Sequence, residues 1–309
     1  MQSLPGPLLL IGCGKMGSAL LDGWLARGLD PALITIVEPS DAQRKALAAK
    51  GVATLAAAEE VPGDLAPALV VLAVKPQQMD TALAAAEGWR GDATVFLSIA
   101  AGKTIGYFQD RLGAATPVVR VMPNTPAAVG RGVSVLAASP EVPEAMRGLC
   151  EELMRAVGDA AWVEDEGLMD AVTAVSGGGP AYVFLLIECL AEAGVAAGLP
   201  EALSMKIARG TVAGAGELVR QAEEPASKLR ENVSSPGGTT LEALKILMAD
   251  DGLQPLMTKA SAAATRRVAG VCGVPHRVPR DARRVPGGVD LRRRARRRNP
   301  GPSSARRCA

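Results

Sequence analysis

The 309-residue chain is poor in the side chains that most often carry chemistry. It holds one histidine, His276, and only 3% aromatic residues. Because that histidine lies beyond residue 267, the body of the protein works without an imidazole, which excludes Ser-His-Asp hydrolysis and His-ligated zinc there. Five cysteines (Cys13, Cys150, Cys189, Cys272 and Cys308) are scattered with no C-x-x-C pair, so neither a disulfide framework nor a cysteine metal cluster is expected. No continuous apolar run approaches the ~18 residues of a membrane span. Met1 to Pro7 lacks the charged start and apolar stretch of a secretory leader. These absences lead us to expect a soluble, cytoplasmic protein with no membrane partner.

What is present is apolar bulk and uneven charge. A 48% hydrophobic content over this length supports a large core and favours two domains. The net charge of +2 hides a break in composition: residues 268–309 carry 12 arginines, no lysine and 2 acidic residues, a charge of +10. Residues 1–267 keep 22 basic and 30 acidic side chains, a charge of −8. The arginine-rich tail has no interleaved aromatics and no apolar periodicity, so we expect disorder there and no nucleic-acid partner.

Leu8 to Ile11 reads as a buried strand feeding Gly12-Cys13-Gly14-Lys15-Met16-Gly17, followed by a helical pattern up to Gly28. Strand, Gly-x-Gly-x-x-Gly and helix in that order form a dinucleotide fingerprint, with a ligand-free strand–helix turn as the alternative. The next strand, Leu33 to Val37, ends on Glu38, where an acidic side chain would meet the adenine ribose hydroxyls and favour NADH. Ser40 and Arg44 follow closely and are placed to receive a 2′-phosphate instead. Further strands are expected at Ala68–Val74, Thr94–Ile99, Val118–Met122, Val133–Ala137 and Ala160–Val163, with helices over Asp41–Lys50 and Pro143–Val157. That alternation implies a doubly wound parallel sheet, whose ligands bind beyond the C-terminal ends of the strands.

After Glu164 the strand signals stop. Helical spacing runs through 167–175, 181–197, 200–221, 226–232, 239–251 and 252–267. A helical region with so few large side chains is expected to complete its core by dimerising. Ser176-Gly177-Gly178-Gly179-Pro180-Ala181-Tyr182 opens what reads as the longest helix, either as a hinge or as a close-packing run. Lys206, further on, reads as a solvated lysine. The most suggestive stretch is Asn232 to Thr240, where Pro236, Gly237, Gly238 and a cluster of hydroxyls precede a helix. Backbone N–H groups and hydroxyls at a helix N-terminus can cradle a carboxylate without a fixed positive charge, although a plain helix cap would use the same residues.

Taken together, Gly-x-Gly-x-Met-Gly, Ala73-Val74-Lys75-Pro76-Gln77, Ser98-Ile99-Ala100-Ala101-Gly102, Met122-Pro123-Asn124-Thr125-Pro126, the Ser176–Tyr182 run and Val233-Ser234-Ser235-Pro236-Gly237-Gly238-Thr239-Thr240 resemble pyrroline-5-carboxylate reductase over about residues 8–267. The resemblance implies an α/β protein with a Rossmann-type NAD(P)-binding domain (1–164), an all-α substrate-binding and dimerisation domain (165–267) and the tail (268–309). It implies reduction of a small cyclic imine by NADPH or NADH, in homodimers that assemble further into a ring. Carried over by motif, Ser235, Gly237, Gly238, Thr239 and Thr240 would bind the substrate, with Thr240 also near the imine nitrogen as the catalytic residue. Gly12, Gly14, Lys15, Met16, Gly17, Glu38, Ser40, Ala73, Val74, Lys75, Pro76, Ala100, Ala101 and Asn124 would bind the cofactor. Two positions depart from the family pattern: Gly178 replaces a serine, and Ala57 or Ala58 stands where an adenosine-contacting asparagine is common. A protonated imine is already electrophilic, so its reduction needs alignment and a carboxylate anchor more than a strong acid or base. Rival readings are a β-hydroxyacid dehydrogenase using Lys206 and a cofactor-binding protein without turnover.

Overall fold

The structure is a computed structural model that describes residues 4–90 and 93–272. Residues 268–272, expected to belong to the tail, continue the last helix instead, and the rest of the tail, with the expectation of disorder there, lies outside the described residues. Strand β1 (Leu8–Ile11) is buried along its whole length and leads into helix α1 (Lys15–Ala26). Then come β2 (Ile34–Val37), α2 (Asp41–Ala48), β3 (Ala53–Leu55), β4 (Leu69–Leu72), α3 (Met79–Ala86), β5 (Val95–Ser98), α4 (Ile105–Leu112), β6 (Val118–Met122), β7 (Gly132–Ala138), α5 (Glu144–Arg155) and β8 (Gly158–Trp162). They form one eight-stranded sheet in the order β3-β2-β1-β4-β5-β6-β7-β8. The central strands are continuous apolar runs because both faces are covered. On one face Leu20, Leu21, Trp24, Leu149 and Leu153 of α1 and α5 build the core. On the other, Met79, Leu83, Phe108 and Leu112 of α3 and α4 do so.

The sheet departs from the parallel expectation at one place, since β7 runs antiparallel to β6. Between them lies only a short connection containing the 3₁₀ segment Thr125–Val129, too little chain to cross a face and re-enter in parallel. Pairing of β7 with β8 is parallel again, with α5 as the crossover.

Among the described residues no strand follows β8, and helices make up most of the chain there. Helix α6 (Met169–Val172) passes into a π-helical turn, Thr173–Gly177, and on into α7 (Gly179–Ala196). The glycine run is therefore held inside a helix and is no open hinge. Helix α8 (Glu201–Gln221), with 21 residues, is longer than α7, with 18, which corrects the sequence reading. Helices α9 (Ala226–Asn232), α10 (Thr239–Leu247) and α11 (Leu253–Cys272) complete the region. Ser204 Oγ of α8 donates to Ala191 O of α7 at 2.6 Å, and both residues are buried in the contact. Much of their remaining surface is bare: Phe184, Leu185, Leu218, Ile246 and Leu256 are each more than half exposed. The run Glu166–Ala196 reaches a mean hydropathy of 1.5 and is long enough to cross a membrane by length and composition alone.

The helical region is tied to the sheet through charge. Arg120 on β6 is buried and its guanidinium meets Glu166 Oε1 at 2.9 Å and Asp170 Oδ1 of α6 at 3.8 Å. Glu166 Oε1 also accepts the Ile105 N–H that opens α4, at 2.8 Å.

Candidate active site

The C-terminal edge of the sheet brings together loops that are far apart in sequence. Gly12 follows β1, Glu38 follows β2, Ala73 to Pro76 follow β4, Ala100 and Ala101 follow β5, and Asn124 follows β6. Gly12 has φ +83°, and a Cβ there would lie 2.7 Å from Val74 Cγ1. A Cβ on Gly17 would lie 3.0 Å from Gly12 O, so glycine at 17 lets α1 sit directly on the turn. Gly14 is the N-cap of α1, makes no side-chain cap, and has open space where a Cβ would project. The first N–H groups of α1 are thus left for an anion.

Around this turn runs a clamp from the β2–α2 segment. Glu38 Oε2 accepts the Cys13 N–H at 3.0 Å, and Oε1 accepts the Ser40 N–H at 2.9 Å. Gln43 Nε2 donates to Cys13 O and to Ser18 Oγ, both at 3.0 Å. Burial pushes the Cys13 thiol above its ordinary range, so it stays a neutral filler. Ser40 Oγ accepts the Gln43 N–H and caps α2. Arg44 donates to Glu38 O at 3.0 Å and Pro39 O at 2.7 Å, and pairs with Asp41 at 3.2 Å. Both groups that the sequence offers to a 2′-phosphate are therefore committed to the turn itself.

A cavity of about 590 Å³ opens here. Gly12, Gly14, Glu38, Ser40, Ala73, Val74 and Lys75 wall it, together with Ala57 and Ala58, whose methyl groups leave room where a longer side chain is common in the resembling family. Lys15 lines a neighbouring cavity of about 500 Å³ with Cys13, Gly14 and Glu38. Met16 is half-buried and packs on the core, while Pro76 opens a 3₁₀ turn. Pro76, Ala100, Ala101 and Asn124 are not walls of the larger cavity. A fixed carboxylate, an uncapped helix N-terminus and a turn whose first glycine, Gly12, tolerates no Cβ fit a dinucleotide with its adenosine half toward β2.

The turn before α10 stands apart from that cavity. Gly237 has φ +74°, Gly238 donates to Ser235 O at 3.0 Å and is the N-cap of α10, and no side chain caps the helix. Ser235, Thr239 and Thr240 are exposed, and their hydroxyls have no hydrogen-bond partner among the described residues. Thr240 is the second residue of α10, past the capping position, so the geometry gives it no work as a cap. Lys206 is exposed on α8 and lines neither cavity described above.

At the β6 end, Asn124 is buried. Its Oδ1 accepts the Val133 N–H at 2.9 Å, and its Nδ2 donates to Ser176 O at 3.3 Å and Ser176 Oγ at 3.2 Å. Tyr182 Oη donates to Ala174 O at 3.0 Å, and a Cβ on Gly178 would come within 2.6 Å of that hydroxyl. Glycine at 178 thus leaves the space to the tyrosine. Neither the Gln43 clamp nor the pairing of Asn124 with Ser176 can be read from the sequence, because each joins partners far apart along the chain.

Comparison with known proteins agrees with this arrangement. Residues 166–271 match the pyrroline-5-carboxylate reductase dimerisation family, and residues 8–102 match the family described as NADP oxidoreductase coenzyme F420-dependent. The chain is 38% identical over 263 residues to pyrroline-5-carboxylate reductase of Pseudomonas aeruginosa, covering 85% of this chain and 95% of that protein. It is 37% identical over 259 residues to that of Glycine max, covering 83% and 93%. The solved pyrroline-5-carboxylate reductase of Coxiella burnetii superposes with a TM-score of 0.81 at 33% identity, over 87% of this chain and 99% of that one. That of Plasmodium falciparum, solved with NADP bound, gives 0.73 at 28%, over 88% and 100%. With relatives this similar along nearly their whole length, the chain belongs to the pyrroline-5-carboxylate reductase family.

Proposed function

We infer that this chain reduces Δ1-pyrroline-5-carboxylate to proline with NADH or NADPH. The observation that carries the reading is the turn before α10, whose Ser235, Thr239 and Thr240 hydroxyls are uncommitted and whose helix has no side-chain cap, in a chain that also builds a dinucleotide cavity. When bound, the reduced nicotinamide supplies the hydride. The residues of the chain hold and align. The hydroxyls of Ser235 and Thr240, with the N–H groups of Gly237 and Thr239, donate to the substrate carboxylate, while the Gly238 N–H closes the turn on Ser235 O, and the Thr240 hydroxyl lies beside the imine nitrogen. Gly12 to Gly17 take the pyrophosphate, and Ala73 to Pro76, Ala100 and Ala101 line the path of the cofactor along the strand ends. No side chain acts as a strong acid or base, in keeping with a body that has no histidine before residue 268.

The Glu38 carboxylate, fixed by two backbone N–H groups, favours the ribose diol of NADH over a 2′-phosphate. The substrate turn lies off the cofactor cavity within one chain, and the bare α7, α8, α10 and α11 surfaces support its completion in a homodimer, the dimers closing into a ring in the cytoplasm. Residues 1–164 serve the cofactor and 165–267 the substrate and the partner. The test is oxidation of NADH and NADPH with and without the imine. Imine-dependent oxidation is expected; oxidation driven by a hydroxyacid series alone, or none, overturns the reading.

A further inference from the structure

The π-helical turn Thr173–Gly177 is seated on the end of β6 by two independent contacts. One is the pair of hydrogen bonds from Asn124 to Ser176. The other is packing, since a Cβ on Gly177 would strike the Met122 methyl group at the last residue of that strand. Insertions of this kind in α-helices are concentrated at functional sites, where they re-aim a side chain. Here the side chain is Ser176.

The donor count around Ser176 decides what its hydroxyl can do. Asn124 Oδ1 is taken by the Val133 N–H, which fixes the amide so that Nδ2 faces Ser176 as donor. Ser176 Oγ therefore accepts, and its own hydrogen is turned away from Asn124. That hydrogen has no acceptor among the described residues, and Ser176 is only half-buried. A dinucleotide whose adenosine ribose meets Glu38 beyond β2 and whose pyrophosphate meets Gly12 to Gly17 beyond β1 continues past β4 toward β5 and β6. The nicotinamide end then arrives where Asn124 holds Ser176.

We propose that Ser176 is a cofactor-orienting residue that donates its hydroxyl hydrogen to the carboxamide oxygen of the nicotinamide, and that Asn124 is a positioning residue acting through it. The proposal refines the direct cofactor contact expected for Asn124 and rests on NAD(P)H binding, not on the identity of the imine. Fixing the carboxamide fixes which face of the ring looks toward the substrate, so the hydroxyl governs alignment and takes no proton.

The test compares NADH with ADP-ribose, which keeps the adenosine and pyrophosphate and lacks the nicotinamide. Ser176→Ala should weaken NADH binding about 3- to 10-fold, the range of one neutral hydrogen bond, and leave ADP-ribose affinity and unfolding midpoint unchanged. Asn124→Asp keeps an acceptor for the Val133 N–H but replaces the donor, so the Ser176 hydrogen turns inward to the new carboxylate. It should reproduce the Ser176→Ala loss, and the double variant should lose no more than either alone. Equal losses for both ligands would make Ser176 structural and overturn the proposal, as would unchanged NADH affinity with a slower imine reaction. Because the readout is binding, it stands apart from the activity: a parent protein inert toward the imine would sink the proposed reaction and leave this comparison intact.

Discussion

On the proposed reading Glu38 governs cofactor choice, and its surroundings hold the carboxylate in place. Two backbone N–H groups hold its carboxylate. Two unit charges about 4 Å apart repel by about 1 kcal/mol in water and about 4 kcal/mol near a protein surface. Glu38→Ser should thus move the ratio of kcat/KM values toward NADPH by about one to three powers of ten, measured in parallel steady-state assays; an unchanged ratio would mean that the carboxylate faces away from the ribose. Arg44 would be slow to help a 2′-phosphate, because its guanidinium already serves Glu38 O, Pro39 O and Asp41. On the same proposed reading Thr240 is the matching residue on the substrate side. Its hydroxyl is exposed and uncommitted, and Thr240→Ala removes a hydrogen bond to a charged group, worth about 1.5–3 kcal/mol, or about 10- to 150-fold in kcat/KM for the imine. Cofactor dissociation constant and melting temperature should hardly move, since α10 has no side-chain cap to lose. A destabilised variant with unchanged imine kinetics would return Thr240 to a structural role.

At the scale of elements, what the sequence made legible is what local pattern dictates. β1, β6 and α5 announce themselves because apolar runs and amphipathic stripes need no distant partner to be recognised, and the glycine turn because only glycine fits Gly12 against Val74. β3 is three residues long and α3 is a run of small side chains, so neither gives a periodic signal. The antiparallel β7 was hidden because direction is set by the length of the connection after β6, and the π turn because its cause is a contact with Met122 and Asn124 across the chain. In the site, backbone-driven features such as the α10 turn could be read, whereas the Glu38 clamp and Ser176 depend on pairs that only folding brings together. The tie of β6 to the helical region has the same character. Arg120→Ala would leave Glu166 and Asp170 packed without their cation, and breaking a buried pair of this kind costs about 3–5 kcal/mol. Urea unfolding at fixed protein concentration should show that loss; a change below about 1 kcal/mol, the scale of a surface pair, would mean that the cluster is solvated in solution.

For the whole molecule the question is what covers the helices after β8. Helix α7 is apolar nearly all round yet buries only Ala191 in the single chain, and a helix of that composition needs apolar surroundings on every side. A membrane would satisfy the length of the Glu166–Ala196 run, but α8, α10 and α11 expose apolar side chains of their own alongside charged ones. The match of residues 166–271 to a dimerisation family favours a second copy as the cover. Phe184, 59% exposed on α7, offers the sharpest test. Burying a phenylalanine is worth about 1.5–3 kcal/mol, and in a two-fold interface each substitution is felt twice. Phe184→Asp should therefore weaken the dimer by about 3–6 kcal/mol, or some 10²- to 10⁴-fold in its dissociation constant, seen as a shift toward monomer in sedimentation velocity across a dilution series. Dinucleotide binding by the separated chain should persist, because the cavity of Glu38 and Gly12 is built within residues 11–85 of one chain, while imine reduction should fall with the dimer fraction. A variant that stays dimeric would place Phe184 outside the interface, and one that becomes monomeric with full imine turnover would show that a single chain completes the substrate site by itself.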